Sequence, residues 1–407
     1  MSETVLPSNR LRHGIFMPPF HQLKANPTLA LTRDMRLIEW LDELGFDEAW
    51  IGEHHSAGVE IIASPELFIA AAAERTKHIR FGTGVVSLPN HHPLMVANRL
   101  IQLDHMTRGR VMFGFGPGLL ASDHHMMGVS PESSRGRMAE SLDAVMRLLR
   151  GEVVTQKTDW YELRDARVHL LPYTRPYPEV AVASAVTPSG GRLAARYDLG
   201  MLCVAASDET GFNALDTNWA IANEVAAEHG RVMDRNRLRV VLKMHLADSV
   251  ERARADIRYG TAQHIAYLEN NHPRYNIPEG VDPADWAVET DFAVIGTPDD
   301  AIERIERVLA KTGDFGAVLI MGVNLADFGA TLRSYELYAN HVMPHFSGAN
   351  INREGSFDWV TSLQSNFSQQ RVRAADQAFA QHAAERTSRG LAPTERPGSG
   401  TQGLTPF

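Results

Sequence analysis

A chain of 407 residues, 44% hydrophobic and 22% charged, is long enough for one large domain or two ordinary ones and has the make-up of a soluble globular protein. Its net charge of −9, with no dense Lys/Arg block, argues against a nucleic-acid or anionic-membrane surface, and its single cysteine, Cys203, excludes an intrachain disulfide and suits a reducing cytoplasm. No run of about 18 apolar residues is present to span a bilayer, and the opening MSETVLPSNRLRHG lacks the basic start and apolar core of a signal peptide.

Along the chain, short apolar runs alternate with longer amphipathic ones. Strands are predicted at 13–18 (HGIFMP), 48–54 (EAWIGEH), 79–86 (IRFGTGVV), 110–116 (RVMFGFG), 179–184 (EVAVAS), 200–205 (GMLCVA), 238–246 (LRVVLKMHL) and 315–322 (FGAVLIMG). Most are near-continuous apolar runs, as expected of parallel strands covered on both faces. Helices are predicted between them at 28–45, 64–77, 92–107, 136–151, 189–200, 217–230 and 297–313; the second opens with Ser64 as cap, Pro65 at the first helical position and Glu66 in the first turn. This alternation implies a parallel sheet, and at this length a closed (β/α)8 TIM barrel is the economical solution. An open dinucleotide-binding sheet should carry G-x-G-x-x-G after its first strand; the nearest stretch, GFGPGLL (114–120), follows the fourth strand and has Leu119 in place of the last glycine.

Two long insertions follow the fourth and seventh strands, at 119–178 and about 252–295. The polar, Pro-rich ENNHPRYNIPEGVDPADW (269–286), with Tyr275 and Trp286, reads as a covering loop over the site. The barrel is expected over 10–346. A C-terminal extension, 347–407, reads as a weak helix (QQRVRAADQAFAQHAAERTSRG) followed by a disordered tail.

Barrel sites form where strands end. There the sequence places Met17, Pro18, Pro19, Phe20 and His21 after the first strand, Glu53, His54 and His55 at the second, Asn90, His91 and His92 after the third, and Asp123, His124 and His125 after the fourth. Three His-His pairs on one face call for a functional reading. A mononuclear metal site is the weaker one: no H-x-H is present, and adjacent residues on a strand point to opposite faces, so one histidine of each pair should turn away. The other reading is a planar cofactor across the barrel mouth. GTGVV and GFGPG remove side chains where strands end, either to admit a ring system or for tight strand packing. ASAVTPSGGRLAARY (183–197) supplies Ser184, Thr187, Ser189, Gly190 and Gly191 ahead of a helix whose free amides suit a phosphate.

WIGEHH, IRFGTGVVSLPNHHPLMVANRLIQLDHMTRGRVMFGFGPG (79–118) and AVIGTPDDAIERI (293–305) together resemble the bacterial luciferase-like family of flavin-dependent monooxygenases, over about residues 12–345, with the flavour of its limonene-monooxygenase-like members. That resemblance implies a barrel that takes FMNH2 from a separate NAD(P)H-dependent flavin reductase, without a stable complex, and uses O2 to oxygenate a small, largely apolar molecule such as a terpene, ketone or aldehyde. It further implies a homodimer, His54 as the catalytic base beside the flavin, and a non-prolyl cis peptide at Gly84-Val85 under the ring. Glu53 would orient His54 and His55 or simply satisfy buried amides; His92 would join the flavin site or only cap its helix. Gly84, Val85, His92, Gly116 and the 184–191 loop are the implied cofactor contacts, and Phe20, His55, Leu119 and Trp286 the substrate-facing candidates. Where luciferase has an arginine after the fourth strand this chain has Pro117, which shifts the phosphate contact to Thr187, Ser189, Gly190 and Gly191. Two other readings stay open: a deazaflavin-dependent oxidoreductase on the same barrel, against which the basic pair at EHH argues, and a non-catalytic flavin-binding protein, against which the intact His54 argues.

Overall fold

A computed structural model describes residues 10–18, 20–271 and 277–392. Pro19, Tyr275 and the tail from 393 onward lie outside the described residues. The chain divides into two compact units, Met1–Ser347 and Gly348–Phe407.

The first unit is a closed parallel barrel with helices outside. Its strands are β1 (Arg12–Met17), β2 (Glu48–Ile51), β3 (Arg80–Thr83, continued by Val86–Ser87), β4 (Val111–Gly116), β5 (Val180–Ser184), β6 (Gly200–Cys203), β7 (Leu238–Leu242) and β8 (Ala317–Met321). Each pairs in parallel with the next, and β8 closes on β1 with Ile15 beside Ile320. All eight predicted strands are thus present and make the predicted barrel.

Side-chain alternation along each strand sorts two apolar clusters. Inward-facing Phe16, Trp50, Met112, Ala181, Leu202, Val241 and Leu319 fill the barrel, while the alternate residues, such as Ile15, Ile51, Phe113, Val182 and Val318, join the larger core under the helices. Trp50 dominates the interior: a Cβ on Gly82 would fall on its indole ring, and one on Gly114 would come within 2.9 Å of it. Gly82 is therefore there for the indole, and Gly114 first for the Thr83 carbonyl, on which a Cβ there would fall; both are close approaches that any side chain would block.

Beyond the barrel, several elements differ from expectation. The run 238–246 is two strands, because Met244–Leu246 leaves the barrel and pairs with Val294–Gly296. The insertion after β4 contains an antiparallel hairpin, Val154–Lys157 with Glu162–Ala166, whose mostly polar residues gave no apolar signal. Helices flank the segment read as a covering loop: Thr261–Asn271 runs into its start, and Pro283–Glu289 begins near its end, where the Asp282 side chain accepts from the amides of Ala284 and Asp285. In the second unit, helices Ile351–Ser362 and Gln364–Ser388 carry no buried residues. Among the described residues no helix is long and apolar enough to cross a membrane.

Candidate active site

The strand ends open into a cavity of about 830 Å³, within the roughly 300–1,000 Å³ usual for a cofactor or drug-sized ligand. Its apolar wall comes from inside the barrel, with Phe16, Val85, Val204, Met321 and Val323, and from Leu268 on the insertion after β7. Gly84 also faces it, and the Gly84-Val85 peptide is cis.

At the end of β2 the two histidines part, as alternation requires. His54 lines the cavity with both ring nitrogens engaged by carboxylates: Nδ1 lies 3.1 Å from Asp123 Oδ2, and Nε2 lies 2.9 Å from Glu60 Oε2. Burial opposes a charge on this ring, but the Glu60 carboxylate and the bonds to Asp123 and Glu60 outweigh it and push its pKa up to about 10. His54 is therefore an imidazolium at neutral pH and donates through both nitrogens.

The supporting carboxylates are held unequally. Asp123 Oδ1 accepts from Ser56 Oγ at 2.5 Å and from the His55 amide at 3.1 Å. Burial opposes its charge, but bonds from His54 and Ser56 keep its pKa below the ordinary value. Glu60 Oε2 also accepts from Tyr267 Oη at 2.9 Å. Neither Glu60 nor Tyr267 was singled out from sequence. No spacing rule links residue 60 to residue 267, and only the fold brings them together.

His55 turns the other way. Its Nε2 lies 3.1 Å from Glu53 Oε1, and His91 Nε2 lies 2.9 Å from the same oxygen. Burial of Glu53 is outweighed by these bonds, which hold its carboxyl below the usual range. The three donor atoms lie within 4.8 Å of one another. Yet the other nitrogen of His91 faces the Arg99 guanidinium at 3.4 Å, where a metal-bound histidine needs an acceptor. The cluster is a hydrogen-bond hub that orients Glu53.

Of the predicted site residues, Glu53, His54, Gly84, Val85, Leu119, Ser184, Thr187, Ser189 and Gly190 line the cavity. Six do not. His92 is the N-cap of helix Pro93–Thr107 and turns its ring edge-on to Tyr161. Gly116 makes room for Val85, whose Cγ2 would lie 2.5 Å from a Cβ there, and Gly191 lets its helix approach the Asn218 carbonyl. Phe20 is buried behind His264 and Tyr267, His55 faces Glu53, and Trp286 packs on Phe292. Cys203 is buried, and burial pushes its thiol up to about 12, so it is no nucleophile.

The cavity lining also carries three arginines, with Glu228 as an acid among them. Helix Ser189–Tyr197 begins after Pro188 with no side-chain cap, so its first amides point out unsatisfied. Arg192 and Arg196 come from that helix and Arg135 from helix Pro131–Leu149. The i, i+4 spacing of the two arginines was visible in SGGRLAAR and could have been found. Lys243, at the break after β7, is neutralised inside the cavity wall by Asp208 at 3.2 Å.

A barrel cavity with an uncapped helix start, arginines, an apolar seat and a charged histidine suits an enzyme that holds a phosphate-bearing cofactor. The family model for luciferase-like monooxygenases matches residues 11–314. The chain is 46% identical to limonene 1,2-monooxygenase of Rhodococcus erythropolis over 83% of its own length and 87% of that protein's. It is 43% identical to 4-hydroxyprotoasukamycin monooxygenase of Streptomyces nodosus subsp. asukaensis, over 93% and 100%. Its fold is similar to the oxygenating constituent of 3,6-diketocamphane monooxygenase from Pseudomonas putida, with a TM-score of 0.70 at 23% identity, over 83% and 99% of the two chains. The chain belongs to the luciferase-like monooxygenase family and is a flavin-dependent monooxygenase.

Proposed function

We propose that the protein is the oxygenase component of a two-component system, taking FMNH2 from a separate NAD(P)H-dependent flavin reductase and using O2 to oxygenate a small, largely apolar molecule. When bound, reduced FMN supplies the electrons that allow one oxygen atom of O2 to enter the organic molecule and the other to leave as water. The observation that carries this reading is one cavity lined by three parts: the apolar seat at Gly84 and Val85, the uncapped start of helix Ser189–Tyr197 with its arginines, and the charged His54.

The residues present fit FMN. The uncapped amides of the helix, with Thr187, Ser189 and Arg192, match a terminal phosphate, and the Ser184 hydroxyl, buried with only the Cys203 thiol beside it, offers a polar contact along the way. The solved diketocamphane relative was crystallised with FMN. With Lys243 paired to Asp208, the apolar seat suits an uncharged molecule; the limonene relative supports a terpene-like alkene. In this reading His54 is the catalytic acid, giving its proton where negative charge develops on oxygen, and Glu53 is held ready beside it. The protein acts in the cytoplasm, as a homodimer.

The test is binding followed by isotope transfer. Reduced FMN should bind more tightly than oxidised FMN in anaerobic titration, and Arg192→Gln should weaken FMN about tenfold while leaving riboflavin unchanged. With a flavin reductase, NADH and limonene, product should carry one ¹⁸O atom from ¹⁸O2. Binding of a deazaflavin in preference to FMN, or hydride transfer without labelled product, would sink the proposal.

A further inference from the structure

His54 is clamped at both ends, but the two clamps differ. Asp123, on helix Ala121–Met127, is fixed by Ser56 and by the His55 amide as well as by His54. Glu60 faces the cavity, and the side-chain bond that holds it besides His54 comes from Tyr267 on helix Thr261–Asn271. We propose that Glu60 and Tyr267 are positioning residues: Glu60 sets the proton on His54 Nε2, and Tyr267 ties that carboxylate to the insertion after β7. This rests on the reading of His54 as the catalytic acid.

The geometry gives each member one role. Two carboxylates facing one imidazole require both nitrogens to donate, so the ring keeps its second proton. Tyr267 donates to the same Glu60 oxygen that His54 uses, which fixes that oxygen in place. Tyr267 is itself held edge-on by Phe20, which accounts for a buried aromatic that stops short of the cavity. Since Asp123 is held by two further donors and Glu60 lines the cavity, the Nε2–Glu60 contact is the one that can open toward a bound ligand. The neighbouring ionisable groups do not substitute for it: Glu53 is occupied by His55 and His91, and His55, a histidine itself, only opposes charge on His54.

The experiment uses the full chain without flavin, labelled with ¹⁵N-histidine, and follows the ring nitrogens against pH; His54→Gln identifies the signal. In the wild type His54 should stay doubly protonated through pH 9. In Glu60→Gln, which keeps the size and the bond from Tyr267, its acid dissociation constant should rise at least tenfold, and the alkaline limb of kcat/KM should move down by the same amount. Tyr267→Phe keeps the charge pair, so His54 should remain protonated at pH 8 while kcat falls with KM little changed. An unchanged His54 titration in folded Glu60→Gln overturns the proposal. A shifted titration alongside full turnover by His54→Gln upholds the clamp and instead removes His54 from the chemistry.

Discussion

Strand β2 carries two buried charge clusters, one at each end, and they solve the same problem differently. At the closed base, Glu48 accepts from Arg239 at 2.7 and 3.0 Å, from Trp50 Nε1 at 2.9 Å, and pairs with Arg12 at 2.8 Å. Arg239 also reaches Glu179 at 2.8 Å and lies 4.9 Å from the Trp50 ring centre. At the mouth, His54 sits between Glu60 and Asp123. An arginine cannot give up its proton, and a histidine can. The base is therefore a fixed charge lattice and the mouth a proton store, built from the same carboxylate-cation contacts.

Breaking each cluster should separate these roles. Arg239→Met takes from the fully buried Glu48 its two-bond partner, leaving Arg12 and Trp50, and should cost about 3–5 kcal/mol in urea unfolding. Arg239→Lys should recover little of it, because one ammonium cannot span both Glu48 and Glu179. His54→Gln should lower kcat by about 10²–10⁴-fold and, at alkaline pH where the imidazole's charge contribution is lost, shift the urea midpoint far less than Arg239→Met. Comparable unfolding losses for the two variants would erase the distinction.

The clusters should also fail at opposite ends of the pH scale. Burial disfavours a charged Glu48, but Arg239 and Arg12 pull its pKa down to about 2. Its stabilisation is present above the unfolded value near 4.5 and is lost as pH falls toward 2. His54 is raised to about 10, so its contribution is full below the unfolded value near 6.5 and is lost as pH rises toward 10. A Tm-pH curve should fall on both sides, and His54→Gln should flatten only the alkaline side. Flattening on the acid side would mean that the mouth carboxylates, not Glu48, carry that limb.

The barrel was legible because burial on both faces leaves uninterrupted apolar runs, as in FGAVLIMG, and because Gly or Pro punctuates the intervening helices. Alternation required one histidine of each pair to turn away, and the family resemblance pointed to His54 as the one that faces the cavity. What stayed hidden depends on contacts distant in sequence: Arg239 with Glu48, Glu60 with Tyr267. The hairpin Val154–Lys157/Glu162–Ala166 was missed because a surface ribbon needs few apolar residues. The glycines were ambiguous for a related reason. Composition shows that a side chain is absent, and only the fold shows what occupies its place.

The smallest effects should come from those glycines, and they sharpen the comparison most. Gly82→Ala drives a methyl into Trp50, which is bonded to Glu48 at the base; Gly116→Ala drives one into Val85, which lines the cavity. Overpacking of this kind typically costs about 1–3 kcal/mol. Gly82→Ala should show that full cost in unfolding while FMN affinity holds, because the disturbance stays with the fixed lattice. Gly116→Ala should unfold nearer to the wild type, because Val85 can yield into the cavity, and its FMN affinity should fall severalfold. If Gly116→Ala loses stability as Gly82→Ala does and binds FMN normally, then Val85 is held as rigidly as Trp50, and the division between a fixed base and a yielding mouth does not extend to the cavity wall.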